Sequence, residues 1–230
     1  MKTLQNPVPN ASVELAKVFG TLAHQRRATP HFLSDPVPDE VIETALTLAG
    51  QAPSGYNLQP WRFVIVRDSG QRSRLRKAAM DQEKITEAPL VVVAFAEHEG
   101  WKHQMDEIIQ TRTELTGWKP DDVEKLKAGA TDFITNLGQT VWLNRHVMIA
   151  FTYLMLAFES LGWDTAPMEG FKASEVKQVL GLPAKSEVVA LLAVGRAVDP
   201  NTPFPGRLNA SVLAFEETYG EHYIAGESSE

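Results

Sequence analysis

The chain contains no cysteine, which excludes disulfide bridges, thiolate nucleophiles, cysteine-ligated zinc and iron–sulfur clusters. Any redox chemistry must therefore come from a borrowed cofactor. Positive charge is scarce as well: 22 Lys and Arg stand against 29 Asp and Glu, a formal charge of −7, and a protein that tracks a phosphate backbone needs the opposite balance. A small molecule is the expected partner, and a nucleic acid is not. The most apolar run, Val147 to Phe158, covers only a dozen residues, where a membrane span needs about 20, so no membrane partner is expected. The opening MKTLQNPVPNASVELAKVF has no secretory pattern, and a cytoplasmic location is expected. No G-x-G-x-x-G follows a strand pattern and there is no Walker sequence, which argues against a Rossmann or P-loop nucleotide site. Internal repeats are absent, and low complexity is confined to the final GESSE.

What is present is 230 residues with 43% hydrophobic content, enough to bury a full core and too short to require two independent domains. One domain over 1–230 is expected, with a charged, variable segment over 97–136 and an extended, proline-punctuated tail over 198–230. Helical spacing of Leu15, Val18, Phe19 and Leu22 predicts an amphipathic helix over Val13 to Gln25. A second helix is predicted over Pro38 to Ala52, with Asp39 and Glu40 in its first turn. Trp61 to Arg67 reads as a central strand, Ser69 to Met80 as a basic helix with a solvated face, and Leu90 to Ala96 as a strand buried on both faces. Thr140 to Leu161 is apolar on nearly every side and must be enclosed, within the domain or against another subunit. A short strand and turn at WDTAPMEGF, a helix over Ser174 to Leu180 and a buried strand over Val188 to Val194 follow. This order of elements suits an α+β fold with a mixed, mainly antiparallel central sheet covered by helices.

Three segments stand out as chemistry. QAPSGYNLQPWRF, Gln51 to Phe63, joins a helix pattern to a strand pattern through Pro53, Ser54, Gly55, Asn57 and Pro60, residues that hold an irregular backbone in place. Asn57 and Gln59 each offer a side-chain amide that both donates and accepts, a pair suited to a ring edge with alternating N–H and C=O groups. A polar connection and a ligand-reading loop both satisfy these residues. Arg26 and Arg27 end the first helix, where they suit either the last helix carbonyls or an anion. Glu169 and Gly170 suit a simple turn. Glu99, His103 and Glu107 share one helix face, a spacing seen in hard-metal sites and more often in solvated helices; no metal is expected.

RRATPHF at Arg26 to Phe32, APSGYNLQPWRF at Ala52 to Phe63 and APMEGF at Ala166 to Phe171, in that order, resemble the motifs of the nitroreductase family of FMN-dependent oxidoreductases. The likeness runs from about Arg26 to Arg207. It implies a homodimer built around the apolar Thr140 to Leu161 helix and one FMN per subunit. It also implies NAD(P)H as co-substrate and a nitroaromatic, quinone or related small acceptor, with the chemistry carried by flavin N5 and no catalytic side chain. The resemblance places Arg26, Arg27 and Ala28 at the phosphate and ribityl end, joined by Arg207 from the tail. It places Pro53, Ser54, Gly55, Asn57 and Gln59 along the isoalloxazine, and Pro167, Met168, Glu169 and Gly170 beside N5 and O4 through their backbone. Trp101, Met105 and Trp118 are expected to line a pocket under a variable cap. Two positions depart from the family pattern: Ala28 stands for a common serine, and Pro30 for a common basic residue, which leaves His31 or Arg62 to supply charge near flavin N1. Specialised relatives of the same fold are implied as alternatives: a reductive dehalogenase, an enone- or enamide-forming dehydrogenase, or a flavin-cleaving enzyme. A flavin-binding module without turnover is a further one.

Overall fold

A computed structural model describes residues 9–117 and 119–223. It divides into two compact units, one ending at Pro200 and the other beginning at Asn201. The first unit is built on a four-stranded sheet in the order β1-β2-β4-β3, with β1 Trp61–Val66, β2 Leu90–Glu97, β3 Asp164–Met168 and β4 Ser186–Gly195. All three ladders are antiparallel; the one parallel pairing among the described residues is the bridge of Ala28 to Thr165. Trp61 to Val66 is therefore an edge strand, not the central strand expected of it. Its burial pattern shows the reason, since its middle residues are half-buried while every residue of β2 from Leu90 to Ala96 is buried. The continuous apolar run of Leu90 to Ala96 needs cover on both faces, so it takes a central place.

Alternation along β2 and β4 sorts the core into two layers. Val92, Ala94, Leu192 and Val194 face α2 (Asp39–Ala49), α7 (Gln139–Ser160) and the inner sides of α5 (Gly100–Thr116) and α6 (Pro120–Leu137). Val91, Val93, Leu191 and Ala193 face α3 (Ser69–Ala78), α4 (Lys84–Glu87) and α8 (Ala173–Leu180). The axis of the unit is α7, which touches all four strands as well as α2, α6 and α1 (Pro9–Gln25). Trp142, Leu143, Val147, Ala150, Phe151, Leu154 and Phe158 are buried along it, and truncating any one of the larger of these would cost about 3–5 kcal/mol. At 22 residues α7 is long and apolar enough to cross a membrane by length and composition, more than the dozen-residue run suggested. In the structure it is the packed core helix.

Two surfaces of the first unit are unusually apolar. Leu15, Val18 and Phe19, on the apolar side of the amphipathic α1, are 59, 60 and 58% exposed. Val141 and Tyr153 on α7 are exposed too. The amphipathic pattern of α1 was legible, but its apolar side is not covered by this protomer. The second unit holds α9 (Ala210–Leu213) and a bridge of Phe215 to His222.

Candidate functional site

The segment Pro53 to Gln59 is a single turn of 3-10 helix, Gly55–Asn57, braced from within. The N–H of Asn57 donates to the Ser54 carbonyl at 3.0 Å, that of Leu58 to the Gly55 carbonyl at 3.1 Å, and that of Gln59 to the Ser54 hydroxyl at 2.9 Å. Tyr56, Asn57 and Gln59 hold φ of 56, 60 and 43°, left-handed values that cost non-glycine residues roughly 1 kcal/mol or more each and persist where surroundings over-determine them. Those surroundings are specific: Leu58, Pro60 and Trp61 are buried beneath the loop, and the Arg62 guanidinium donates to the carbonyl of Trp61 at 2.7 Å and of Gln59 at 3.5 Å. From α7, Nε2 of His146 accepts the Gly55 N–H at 2.9 Å. A Cβ on Gly55 would lie 3.2 Å from the Trp142 indole nitrogen and 3.3 Å from that same Nε2, a close approach that glycine makes without displacing either ring. The strained turn leaves Asn57 exposed and Gln59 half-exposed at a cleft of about 450 Å³ whose other wall is α5: Gln104, Glu107, Ile108, Thr111 and Leu115.

Trp101 and Met105, expected in that wall, point the other way and are buried in the core. The α5 helix turns its apolar side to the domain and its mixed side to the cleft, as its period dictates. Trp118 lies outside the described residues. Glu99 pairs with Lys102, and among the described residues no three acidic or histidine side chains converge.

The second expected segment lies elsewhere. Pro167, Met168 and Glu169 line a separate cleft of about 410 Å³ with Met148, Phe151, Thr152 and Met155 of α7. Gly170 follows, its carbonyl accepting from Nε2 of Gln82 at 2.8 Å. A Cβ there would meet Gln82 at 3.3 Å and the Met80 sulfur at 3.5 Å. The turn that presents Gln82 is itself strained, with φ of 53° at Met80 and 56° at Asp81. Met155 follows His146 by nine residues on α7, and at about 100° per residue it faces the opposite side of the helix. Within one chain, Asn57 and Glu169 are thus divided by the thickness of α7.

Arg26 and Arg27 join the second segment through the backbone. Ala28 bridges Thr165, and the Thr29 N–H donates to the Thr165 carbonyl at 2.9 Å, which brings the end of α1 alongside β3. Arg27 donates to the carbonyls of His24 at 2.5 Å and Arg26 at 2.8 Å, the helix-end role open to it from sequence. The Nη1 of Arg26 is buried and has no acceptor among the described residues. A buried guanidinium nitrogen without an acceptor costs free energy, and an anionic ligand group would satisfy it. The Oε1 of Gln104, at the other cleft, is likewise buried without a donor. His31, one candidate for charge near a flavin, is turned toward Glu87 at 3.2 Å. In the second unit, Arg207 donates to the Gly206 carbonyl at 2.6 Å and lies over the Phe204 ring.

A family model described as the nitroreductase family matches residues 23–196. The chain belongs to the nitroreductase family. A Thermus thermophilus protein named NADH dehydrogenase is 34% identical over 186 residues, 80% of this chain and 88% of its own. The fold of this nitroreductase-family chain matches that of the Bacillus subtilis protein ydfN with a TM-score of 0.80 at 25% identity, covering 89% of this chain and all of that one. It also matches an Exiguobacterium sibiricum protein solved in complex with FMN, with a TM-score of 0.75 at 22% identity over 94% of this chain and all of that one. Of the motif residues, Asn57 and Gln59 line one cleft and Pro167, Met168 and Glu169 the other.

Four residues that line a cleft or brace the motif segments were not singled out from sequence: Gln104, His146, Gln82 and Glu159. His146 and Glu159 carried a usable signal, as polar side chains inside an otherwise apolar helix need a reason to be there. Gln82 and Gln104 sit in polar stretches and carried none.

Proposed function

We propose that this nitroreductase-family member is a homodimeric, NAD(P)H-dependent FMN oxidoreductase that reduces small acceptors, and that each FMN site is assembled from two chains. Arg26, Arg27, Ala28 and the Pro167, Met168, Glu169 and Gly170 segment of one chain hold one side. Pro53, Ser54, Gly55, Asn57 and Gln59 of the partner hold the other. The observation that carries this reading is the division of the two motif segments by α7 within one chain: a ligand touching both needs a second copy. The exposed apolar residues of α1 and α7 support an interface of the permanent, hydrophobic kind.

The residues fit the cofactor. The buried Nη1 of Arg26 without an acceptor suits a phosphate oxygen, and a guanidinium is the preferred donor for one. Asn57 presents its amide from a loop whose φ values are fixed in advance, so little ordering is lost on contact. Gln82 holds the Gly170 carbonyl, which fixes the turn that follows Glu169. When bound, FMN supplies hydride acceptance and delivery. The chain supplies placement, charge and exclusion of water.

No second nucleotide signature is present, so the nicotinamide and the acceptor would use the one open cleft in turn, the first product leaving before the acceptor enters. The wall of that cleft is mixed, with Ile108 and Leu115 beside Gln104 and Glu107, and it makes no tight shape demand on the acceptor. Steady-state kinetics test the reading: double-reciprocal plots at several acceptor concentrations should be parallel. Intersecting lines would mean that both substrates fit together and would overturn the single-cleft reading.

A further inference from the structure

Glu159 is in none of the motif segments, yet it ties two of them together. It lies in the last turn of α7, and its Oε1 accepts both the backbone N–H of Thr165 at 3.0 Å and its hydroxyl at 2.6 Å. Thr165 is fully buried, and its carbonyl is the acceptor for Thr29. One carboxylate thus anchors the strand residue on which the Arg26 to Thr29 stretch hangs. Two charged groups face it: Asp164 at the start of β3, and Arg26 at the end of α1. Asp164 is itself engaged by the Ala197 N–H at 2.7 Å. Arg26 retains a buried Nη1 with no acceptor among the described residues.

We propose that Glu159 is a positioning residue for the phosphate end of the cofactor site, holding the Arg26 to Thr29 stretch through Thr165. The inference rests on the FMN reading above. Burial first, and then the neighbouring Asp164, push the Glu159 carboxyl up to about 7, against the Thr165 hydrogen bonds and the charge of Arg26. A phosphate beside Arg26 draws off that favourable charge and adds a like one, so the neutral form of Glu159 accompanies bound phosphate. Above neutral pH the ionised carboxylate sets a like charge near the phosphate, and binding weakens.

The test compares wild-type protein with Glu159→Gln and Glu159→Ala by flavin-fluorescence titration from pH 6 to 8.5, using FMN and riboflavin, which lacks the phosphate. Gln keeps an acceptor for Thr165 and stays neutral throughout. The ratio of wild-type to Glu159→Gln Kd for FMN should be near one at pH 6 and rise about threefold to tenfold by pH 8.5, while the riboflavin ratio stays flat. The ratio cancels the phosphate's own titration. Glu159→Ala should weaken FMN about tenfold and riboflavin much less. A flat FMN ratio, or equal losses for both flavins, would overturn the positioning role while leaving the cofactor reading intact. Wild-type protein that binds neither flavin would overturn both.

Discussion

The ring of His146 bridges α7 and the strained loop 91 residues earlier in the chain: its Nε2 accepts the Gly55 N–H at 2.9 Å, and its Nδ1 lies 2.7 Å from the Trp142 carbonyl. The two partners assign the tautomer, since only a neutral ring protonated at Nδ1 can donate to the carbonyl and accept from the amide. His146→Ala should leave the Gly55 N–H without its acceptor and let the Tyr56 and Asn57 backbone relax from its left-handed values. A loss of about 1–3 kcal/mol is expected for an orphaned, part-buried donor. It should appear as a lower Tm, faster proteolysis within the loop and weaker FMN binding. Gly55→Ala should do at least as much, because its Cβ would press on Trp142 and His146 together.

Arg26→Ala should weaken FMN binding by roughly 2 kcal/mol or more, the loss of a charge-assisted hydrogen bond in a part-buried place. Fluorescence titration with FMN and riboflavin separates a phosphate contact from a general loss, since only FMN should suffer. Unchanged FMN affinity would remove Arg26 from the site.

A two-chain site makes complementation possible. Arg26→Ala and Asn57→Ala homodimers should each be impaired at both sites, whereas a mixed dimer carries both lesions in one site and none in the other. Co-expressed variants should therefore recover activity toward half of the wild-type value per mixed dimer. If the two segments served the same site within one chain, mixing would restore nothing.

The raised value of Glu159 also has a consequence for stability. The folded state keeps this proton up to about 7, whereas the unfolded chain releases it near the ordinary glutamate value, so the folded state binds more protons between those limits. Stability then falls as pH rises through that window and levels off above it. Glu159→Gln removes this loss. The variant should gain on wild type by about 2 kcal/mol between pH 4.5 and 8, after discounting for the part of the side chain that water reaches. Urea midpoints measured across pH check it, and a constant difference would show that the carboxyl is not perturbed.

Much of the fold was legible before the structure. The period of α2, the closing glycine of α8 and the unbroken apolar run of β2 are local features, written in residues a few positions apart. The family motifs at Arg26, Asn57 and Gly170 were legible for the same reason. The edge position of β1 was not, because an apolar strand has the same alternation at an edge as in the middle of a sheet, and only pairing decides. The facing of α5 was likewise hidden: Trp101 and Met105 could line a cleft or enter the core, and the packing of α5 against the sheet chose the core.

The sequence by itself determined the family and most of the helix and strand order, since each depends on local spacing and side-chain chemistry. Tertiary structure alone decided which of those residues share a site. Asn57 and Glu169 are both motif residues, yet α7 stands between them, and Glu159 meets the Thr165 hydroxyl only once the chain is folded. A hydrogen bond or an electrostatic contact needs two groups within a few ångströms. Which distant residues come that close is set by the packing of α7 on the sheet, and no local pattern records it.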